Sequence, residues 1–127
     1  MRIRLETDAV QLILSHVRTG GLTLVVSTVH ELEIGAIADA TERDQLLGVL
    51  HRLAGPHAFS LSKVRERAEE LVQLGLGPAD AAHLAFAETA QSDFVTCDDR
   101  LLRQCRRARP RVWVGTPVAY CDKENLR

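Results

Sequence analysis

The sequence predicts a three-layer α/β domain, in which helices flank a parallel β-sheet, and three observations favour it. Short runs rich in Val, Leu and Thr alternate with longer segments of helical periodicity. The run LTLVVS is almost continuously apolar, as is typical of a strand buried on both faces of a parallel sheet. A chain of 127 residues is long enough for one domain with one core. We therefore expect a single domain over residues 1–127.

Apolar residues at helical spacing predict a series of helices with recognisable ends. Gly20 and Gly21 end the first helix, and Pro78 occupies a first helical position. Thr28 and Glu31 have the spacing of a capping box. The predicted helices are residues 4–19, residues 28–40, residues 41–54, a segment from Ser62 to Gly75, and residues 78–90 and 98–108.

The predicted strands are LTLVVS (22–27), a short HAFSLS strand (57–62), DFVT (93–96) and VWVG (112–115), and Pro117 begins a short tail. The chain opens with a helix, whereas a βα unit opens with a strand. The predicted order therefore lacks the first strand of the sheet.

Composition and charge narrow the functional classes. The net charge is −1, and no apolar run approaches the length of a membrane span. The polar N-terminal segment is unlike a secretory signal, so we expect a cytoplasmic protein without a membrane partner. The three cysteines lack CxxC spacing and the five histidines are scattered. Any bound metal should therefore be a hard cation held by carboxylates.

Three acids fall where the carboxyl ends of the predicted strands meet, which is where open parallel sheets bind ligands. Glu33 lies about a turn into the helix after LTLVVS, Asp80 lies in the first turn of its helix, and Asp98 follows DFVT. Carboxylates that converge repel one another unless a cation neutralises them. A divalent cation there can activate water and stabilise charge on a phosphoryl oxygen.

Each of these residues also has a structural interpretation, and the sequence leaves both open. Asp80 is an ordinary first-turn residue, and Asp98 or Asp99 can cap the next helix. His83 can be a packed histidine rather than a ligand. The arginines after Asp99 form either a phosphate-binding patch or a solvated helix face. The arginines proposed to contact RNA are Arg100, Arg103, Arg106 and Arg107.

Three ordered blocks resemble the PIN domain, the metal-dependent ribonuclease fold shared by VapC-type toxins. They are LTLVVSTVHELEIGA, GPADAAHLAFAETAQSDFVTCDDRLL and RVWVGTPVAY, and together they cover about residues 3–120. The second block, in which an Asp opens a helix and a later strand ends in Thr-x-Asp, is the most specific of the three.

The resemblance implies cleavage of RNA by a water that Mg²⁺ or Mn²⁺ activates. It implies Glu33, Asp80 and Asp98 as catalytic metal ligands, with Asp99 as an alternate at the last position. Supporting roles fall to Ser27, Thr96 and His83, and the arginines become RNA contacts. An antitoxin protein is the implied partner if the chain is a toxin.

The chain departs from the family pattern at its N-terminus. PIN domains begin with a strand that carries the first acid, and nothing in MRIRLETDAV fits that strand. Asp8 lies within the predicted first helix and does not replace that acid. Loss of an interior strand leaves unpaired backbone groups, so a partner strand, a dimer exchange or a rearranged sheet must cover them. We therefore expect a homo-oligomer with weak or no activity, and a non-catalytic PIN fold that binds RNA or protein is the alternative.

Overall fold

The computed structural model describes residues 2–55 and 59–127 of the chain. Helices dominate this part of the molecule, and the two strands are short. The elements in chain order are α1 (Arg2–Arg18), α2 (Thr28–Gly35), α3 (Ala40–Leu53), α4 (Leu61–Gln73), α5 (Pro78–Ala90), β1 (Phe94–Val95), α6 (Asp99–Arg107), β2 (Val114–Gly115) and α7 (Pro117–Glu124).

Strands β1 and β2 form a small parallel sheet, as the sequence predicts for these two segments. Phe94 pairs with Val114 and Val95 pairs with Gly115. The backbone N–H of Phe94 donates to the carbonyl of Trp113 at 2.9 Å, and that of Thr96 donates to Gly115 at 3.0 Å. The protein is therefore a helix-rich α/β fold with a parallel sheet.

The strand predicted at residues 22–27 does not form. This segment makes a single parallel bridge, between Leu24 and Ala54, and the N–H of Gly55 donates to the carbonyl of Leu24 at 2.9 Å. A Cβ at Gly55 would collide with Cγ2 of Thr23, so a larger residue at this position would force that side chain to move. A strand needs a hydrogen-bonded ladder, and here one bridge is all that the described neighbours supply.

Two predictions near the middle and end of the chain need correction. Of the predicted HAFSLS strand, His57 and Ala58 lie outside the described residues, and the remainder is not a strand. Ser60 is the N-cap of α4, so that helix begins before the predicted Ser62. The segment after Pro117 is the helix α7 rather than a tail, and the Thr116 hydroxyl caps it by accepting from the N–H of Ala119 at 3.1 Å.

The predicted bounds of α1, α3, α5 and α6 are confirmed to within about two residues, whereas α2 ends at Gly35 rather than at residue 40. Helix α5 begins at Pro78 with Gly77 as N-cap, because proline needs no backbone N–H partner at that position. The capping box of α2 lies one residue earlier than predicted. Its N-cap is Ser27 and its third position is His30, so Glu31 is not the partner.

The core lies where α4, α5 and α6 meet. Leu71, Leu84 and Cys105, one from each helix, are completely buried there. Phe59 packs edge-to-face on Phe86 at 4.7 Å between ring centroids. By contrast, no residue of α3 is buried, although the structure describes all of that helix.

A buried acid ties this core together. Glu88 on α5 is 8% exposed, and its carboxylate accepts from Nε of Arg67 at 2.7 Å. It also accepts from the backbone N–H of Arg111 at 2.7 Å. Arg67 extends to Glu70 at 3.0 Å, and the acidic partners raise the pKa of its guanidinium even though burial opposes the shift. The charge is thus buried together with its hydrogen-bond partners, the arrangement that such burial requires.

None of the helices in the described ranges is both long and apolar enough to cross a membrane.

Candidate functional site

Glu33 and His83 bring α2 and α5 together. Oε1 of Glu33 lies 2.8 Å from Nε2 of His83. The His83 side chain is 12% exposed, whereas that of Glu33 is 53% exposed. Glu33, the acid that follows residues 22–27, therefore contacts α5, the helix that carries Asp80. A cluster of these acids would require such a contact between α2 and α5.

His30 completes the group around Glu33, and the sequence did not single it out. Its Nδ1 accepts from the backbone N–H of Ser27 at 3.1 Å, and its ring lies 4.5 Å from that of His83. Burial lowers the pKa of His30, positive charge on His83 lowers it further, and Glu33 opposes both. The signal that could have found His30 is its position three residues after Ser27, which is the spacing of a capping box.

Asp80 lies half-buried in the first turn of α5, three residues before His83. It makes no side-chain hydrogen bond or ion pair with any residue in the described ranges. Burial raises the pKa of the Cys105 thiol to about 11, and the negative charges of Asp80 and Glu88 add to this effect. Asp80 is thus electrostatically coupled to α6 as well as being a neighbour of His83.

Asp98 is the N-cap of α6. Its Oδ1 accepts from the backbone N–H groups of Arg100 at 3.0 Å and Leu101 at 3.1 Å. The hydroxyl of Thr96 accepts from the backbone N–H of Asp98 at 3.1 Å, so this threonine positions the acid. The capping interpretation of Asp98 is confirmed, and Asp99 is an exposed residue in the first turn of the same helix.

The arginines of α6 lie on one side of an amphipathic helix. Leu101, Leu102 and Cys105 are buried against the core. Each arginine predicted to contact RNA is exposed to solvent, and these are Arg100, Arg103, Arg106 and Arg107. This exposed face begins directly after the N-cap residue Asp98.

The chain matches the PIN domain family over residues 5–107, which is most of its length. It belongs to the PIN domain family. No curated protein and no solved structure matches the chain. PIN domains form a nuclease-type superfamily and are generally dependent on divalent metal.

The acids of this PIN domain have the right chemistry for a hard cation, because all of them offer carboxylate oxygens. Within residues 2–55 and 59–127, however, no group of three His, Cys, Asp or Glu is arranged to hold a metal ion. Glu33 is held by His83, and Asp98 commits one oxygen to its helix. The side-chain Nδ1 of His83 is buried and has no partner among the described residues. Among the described residues, Glu33, Asp80 and Asp98 therefore do not form a preassembled metal site.

Proposed function

We propose that this PIN domain is a Mg²⁺- or Mn²⁺-dependent endoribonuclease whose metal-binding acids are Glu33, Asp80 and Asp98. The observation that supports it best is the 2.8 Å contact between Glu33 and His83. This contact joins Glu33 on α2 to the first half of α5, the helix that also carries Asp80. These elements are far apart in sequence, so their meeting is a property of the fold.

The placement of Asp80 and Asp98 adds support. Asp80 precedes His83 by three residues, which places both on neighbouring positions of one helix face. Asp98 follows β1 at its carboxyl end, where parallel sheets bind ligands. Thr96 fixes the backbone of Asp98 through the hydrogen bond to its N–H.

A bound divalent ion would supply a polarised water and stabilise negative charge on a phosphoryl oxygen. For that ion to bind, Glu33 has to turn from His83 toward Asp80. Its side chain is about half exposed, so the rotation displaces no core packing. Oδ2 of Asp98 makes no hydrogen bond with the described residues and remains available as a ligand.

The arginine face of α6 fits the same proposal. Arg100, Arg103 and Arg107 recur at three- and four-residue intervals, so they lie along one side of the helix. Guanidinium groups bind phosphate oxygens with two parallel hydrogen bonds, which suits an RNA backbone. A VapC-type toxin role, with an antitoxin protein as partner, is the biological setting that we propose for this activity.

The test is RNA cleavage by Asp80→Asn compared with the unchanged protein in Mg²⁺, Mn²⁺ and excess EDTA. We expect a loss of about 100-fold or more, because removing a metal ligand should cost at least as much as removing its supporting residues. Asp44→Asn is the matched control, since Asp44 is a strongly exposed acid on α3. Equal cleavage by Asp80→Asn and the unchanged protein would contradict the assignment.

The second candidate is a PIN fold that binds RNA or a protein without cleaving it. The specific observation in its favour is that the described acids do not form a metal site, while Asp98 serves as a helix cap. RNA binding that persists in EDTA, together with no cleavage in either metal, would favour this candidate.

A further inference from the structure

The hydrogen bond between Glu33 and His83 runs from the histidine to the carboxylate. An ionised carboxylate can only accept, so Nε2 of His83 carries the proton and donates it to Oε1 of Glu33 at 2.8 Å. No other hydrogen bond joins α2 to α5 among the described residues. The position of the Glu33 carboxylate is therefore set by His83.

His30 fixes the His83 ring in its turn. Nδ1 of His30 accepts from the backbone N–H of Ser27 at 3.1 Å and lies 3.2 Å from the Ser27 hydroxyl. The centroids of the two histidine rings lie 4.5 Å apart, with their planes tilted by 43°. His30 and Glu33 are three residues apart on α2, so they lie on the same side of that helix. One side of α2 thus supplies both the carboxylate and the ring that packs on His83.

The two histidines border a cleft. This cleft of about 540 Å³ lies between residues 22–25 and β1, and both His30 and His83 line it. The Nδ1 atom of His83 is buried and has no partner among the described residues. A neutral ring that donates from Nε2 leaves Nδ1 as an acceptor, and that acceptor has no donor here. The bond to Glu33 is therefore the one hydrogen bond that the described residues offer the His83 side chain.

Two positions are open to the Glu33 carboxylate. In the observed position it lies on His83, and no group of three possible ligands in the described ranges is arranged to hold a metal ion. Asp80 precedes His83 by three residues, which is about 4.5 Å along the axis of α5. The Glu33 side chain is 53% exposed, so rotation of its torsions carries the carboxylate toward Asp80 through solvent.

We propose that His83 is a positioning residue that competes with divalent metal for Glu33 and holds the domain in a metal-free resting form. Glu33 leaves Nε2 of His83 when it joins Asp80 and Asp98 as a ligand. This inference rests on the metal-binding role proposed above for Glu33. It gives His83 a role opposite to that of a supporting residue, which would hold a ligand in its metal-bound position.

The test measures Mn²⁺ binding to the full chain without RNA, from the loss of the electron paramagnetic resonance signal of free Mn²⁺. His83→Leu removes the donor at a position that borders the cleft, so the new side chain has room. We expect this variant to bind Mn²⁺ about 3- to 10-fold more tightly, as the loss of one competing hydrogen bond implies. A pH of about 8, at which an ordinary histidine is neutral, keeps protonation out of the comparison.

Three control variants show whether the gain depends on the hydrogen bond to Glu33. His83→Gln retains an N–H donor and should bind Mn²⁺ within about two-fold of the unchanged protein. Glu33→Gln removes the carboxylate, so His83→Leu should give no gain when both changes are combined. His51→Leu replaces an exposed histidine on α3 and should leave Mn²⁺ binding unchanged.

The unchanged protein supplies a second measurement if His83→Leu fails to fold. Addition of diamagnetic Mg²⁺ should shift the imidazole ¹⁵N resonance of His83 Nε2 and speed the exchange of its proton with water, because the bond to Glu33 is lost. The Nδ1 resonance of His30 should shift less, since its hydrogen bond to the Ser27 N–H does not involve Glu33.

Four results would overturn the proposal. The first is Mn²⁺ binding by His83→Leu that is no tighter than that of the unchanged protein, and the second is an equal gain in the Glu33→Gln background. The third is a His83 Nε2 resonance that does not move in saturating Mg²⁺, and the fourth is the absence of Mn²⁺ binding in every variant. RNA cleavage by Asp80→Asn tests the nuclease proposal separately, and that proposal would survive any of the first three results.

Discussion

The two halves of this PIN domain differ in how completely their elements are paired. Around α4, α5 and α6, residues such as Leu71 and Leu84 are completely buried. Around α1 and residues 22–27, Ala9 is the one buried residue of α1 among those whose side chains the structure describes, and a cleft separates the neighbouring backbone segments. Both halves contain similar apolar residues, so hydrophobicity alone does not decide which half is closely packed. What differs is whether each segment has a neighbour on both sides.

The acids of the domain also differ in how completely they are paired. Glu88 in the packed half is buried and fully hydrogen-bonded by Arg67 and by the backbone of Arg111. Glu33 is exposed and has a histidine partner, and Asp80 is half-buried and has no side-chain partner among the described residues. A buried acid with all its hydrogen-bond partners stabilises the fold, whereas an acid that is only partly buried retains the capacity to bind a ligand.

Among these variants, the largest loss in the free energy of unfolding is expected from Glu88→Ala, which tests how much the buried acid stabilises the packed half. The change leaves the Arg67 guanidinium buried without its main partner, and we expect a loss of about 3–5 kcal/mol in the free energy of unfolding. Glu69→Ala is the control, because its ion pair with Arg65 is exposed and should contribute about 0–1 kcal/mol. Urea unfolding measures both, and equal losses would show that the buried network does not stabilise the packed half.

A smaller difference in the free energy of unfolding should distinguish an apolar residue of the core from one that borders the cleft. Leu84→Ala leaves a cavity in a completely buried position and should cost about 2–5 kcal/mol. Leu14→Ala removes a half-buried side chain that already borders the cleft, so we expect a cost below about 2 kcal/mol. Urea unfolding measures the loss of stability in both variants. A cost for Leu14→Ala as large as that for Leu84→Ala would mean that the cleft is closed in solution.

The smallest expected effect is a pH dependence from His30. Burial lowers its pKa in the folded protein, so the unfolded chain binds a proton first as the pH falls. Its contribution to stability is complete above the ordinary histidine value of about 6.5 and is lost progressively as the pH falls through the lowered folded value.

Replacement of this histidine tests that dependence. His30→Gln keeps an acceptor for the Ser27 N–H but cannot titrate, so stability should fall less steeply below about pH 6.5 than in the unchanged protein. His51→Gln, at an exposed position on α3, is the matched control. Identical pH profiles for His30→Gln and the unchanged protein would exclude His30 as the source of the dependence.

Much of the candidate site was predictable because its residues are fixed by local rules. Pro78 starts α5 and so fixes Asp80 in the first turn, and Asp98 caps α6 as its position before the helix indicates. The contact between Glu33 and His83, 50 residues apart, and the participation of His30 depended on how α2 packs on α5. No local pattern encodes such a contact.

By itself, the sequence determined the family, most helix positions and the residues from which a site can be built. These follow from interactions between residues a few positions apart, which any folded form of the chain must satisfy. Only the tertiary structure decided that residues 22–27 form no strand, that Glu88 is buried with Arg67 from another helix, and that a cleft lies beside β1. The physical reason is that a strand or a buried charge is stable only with its partner, and the fold chooses that partner.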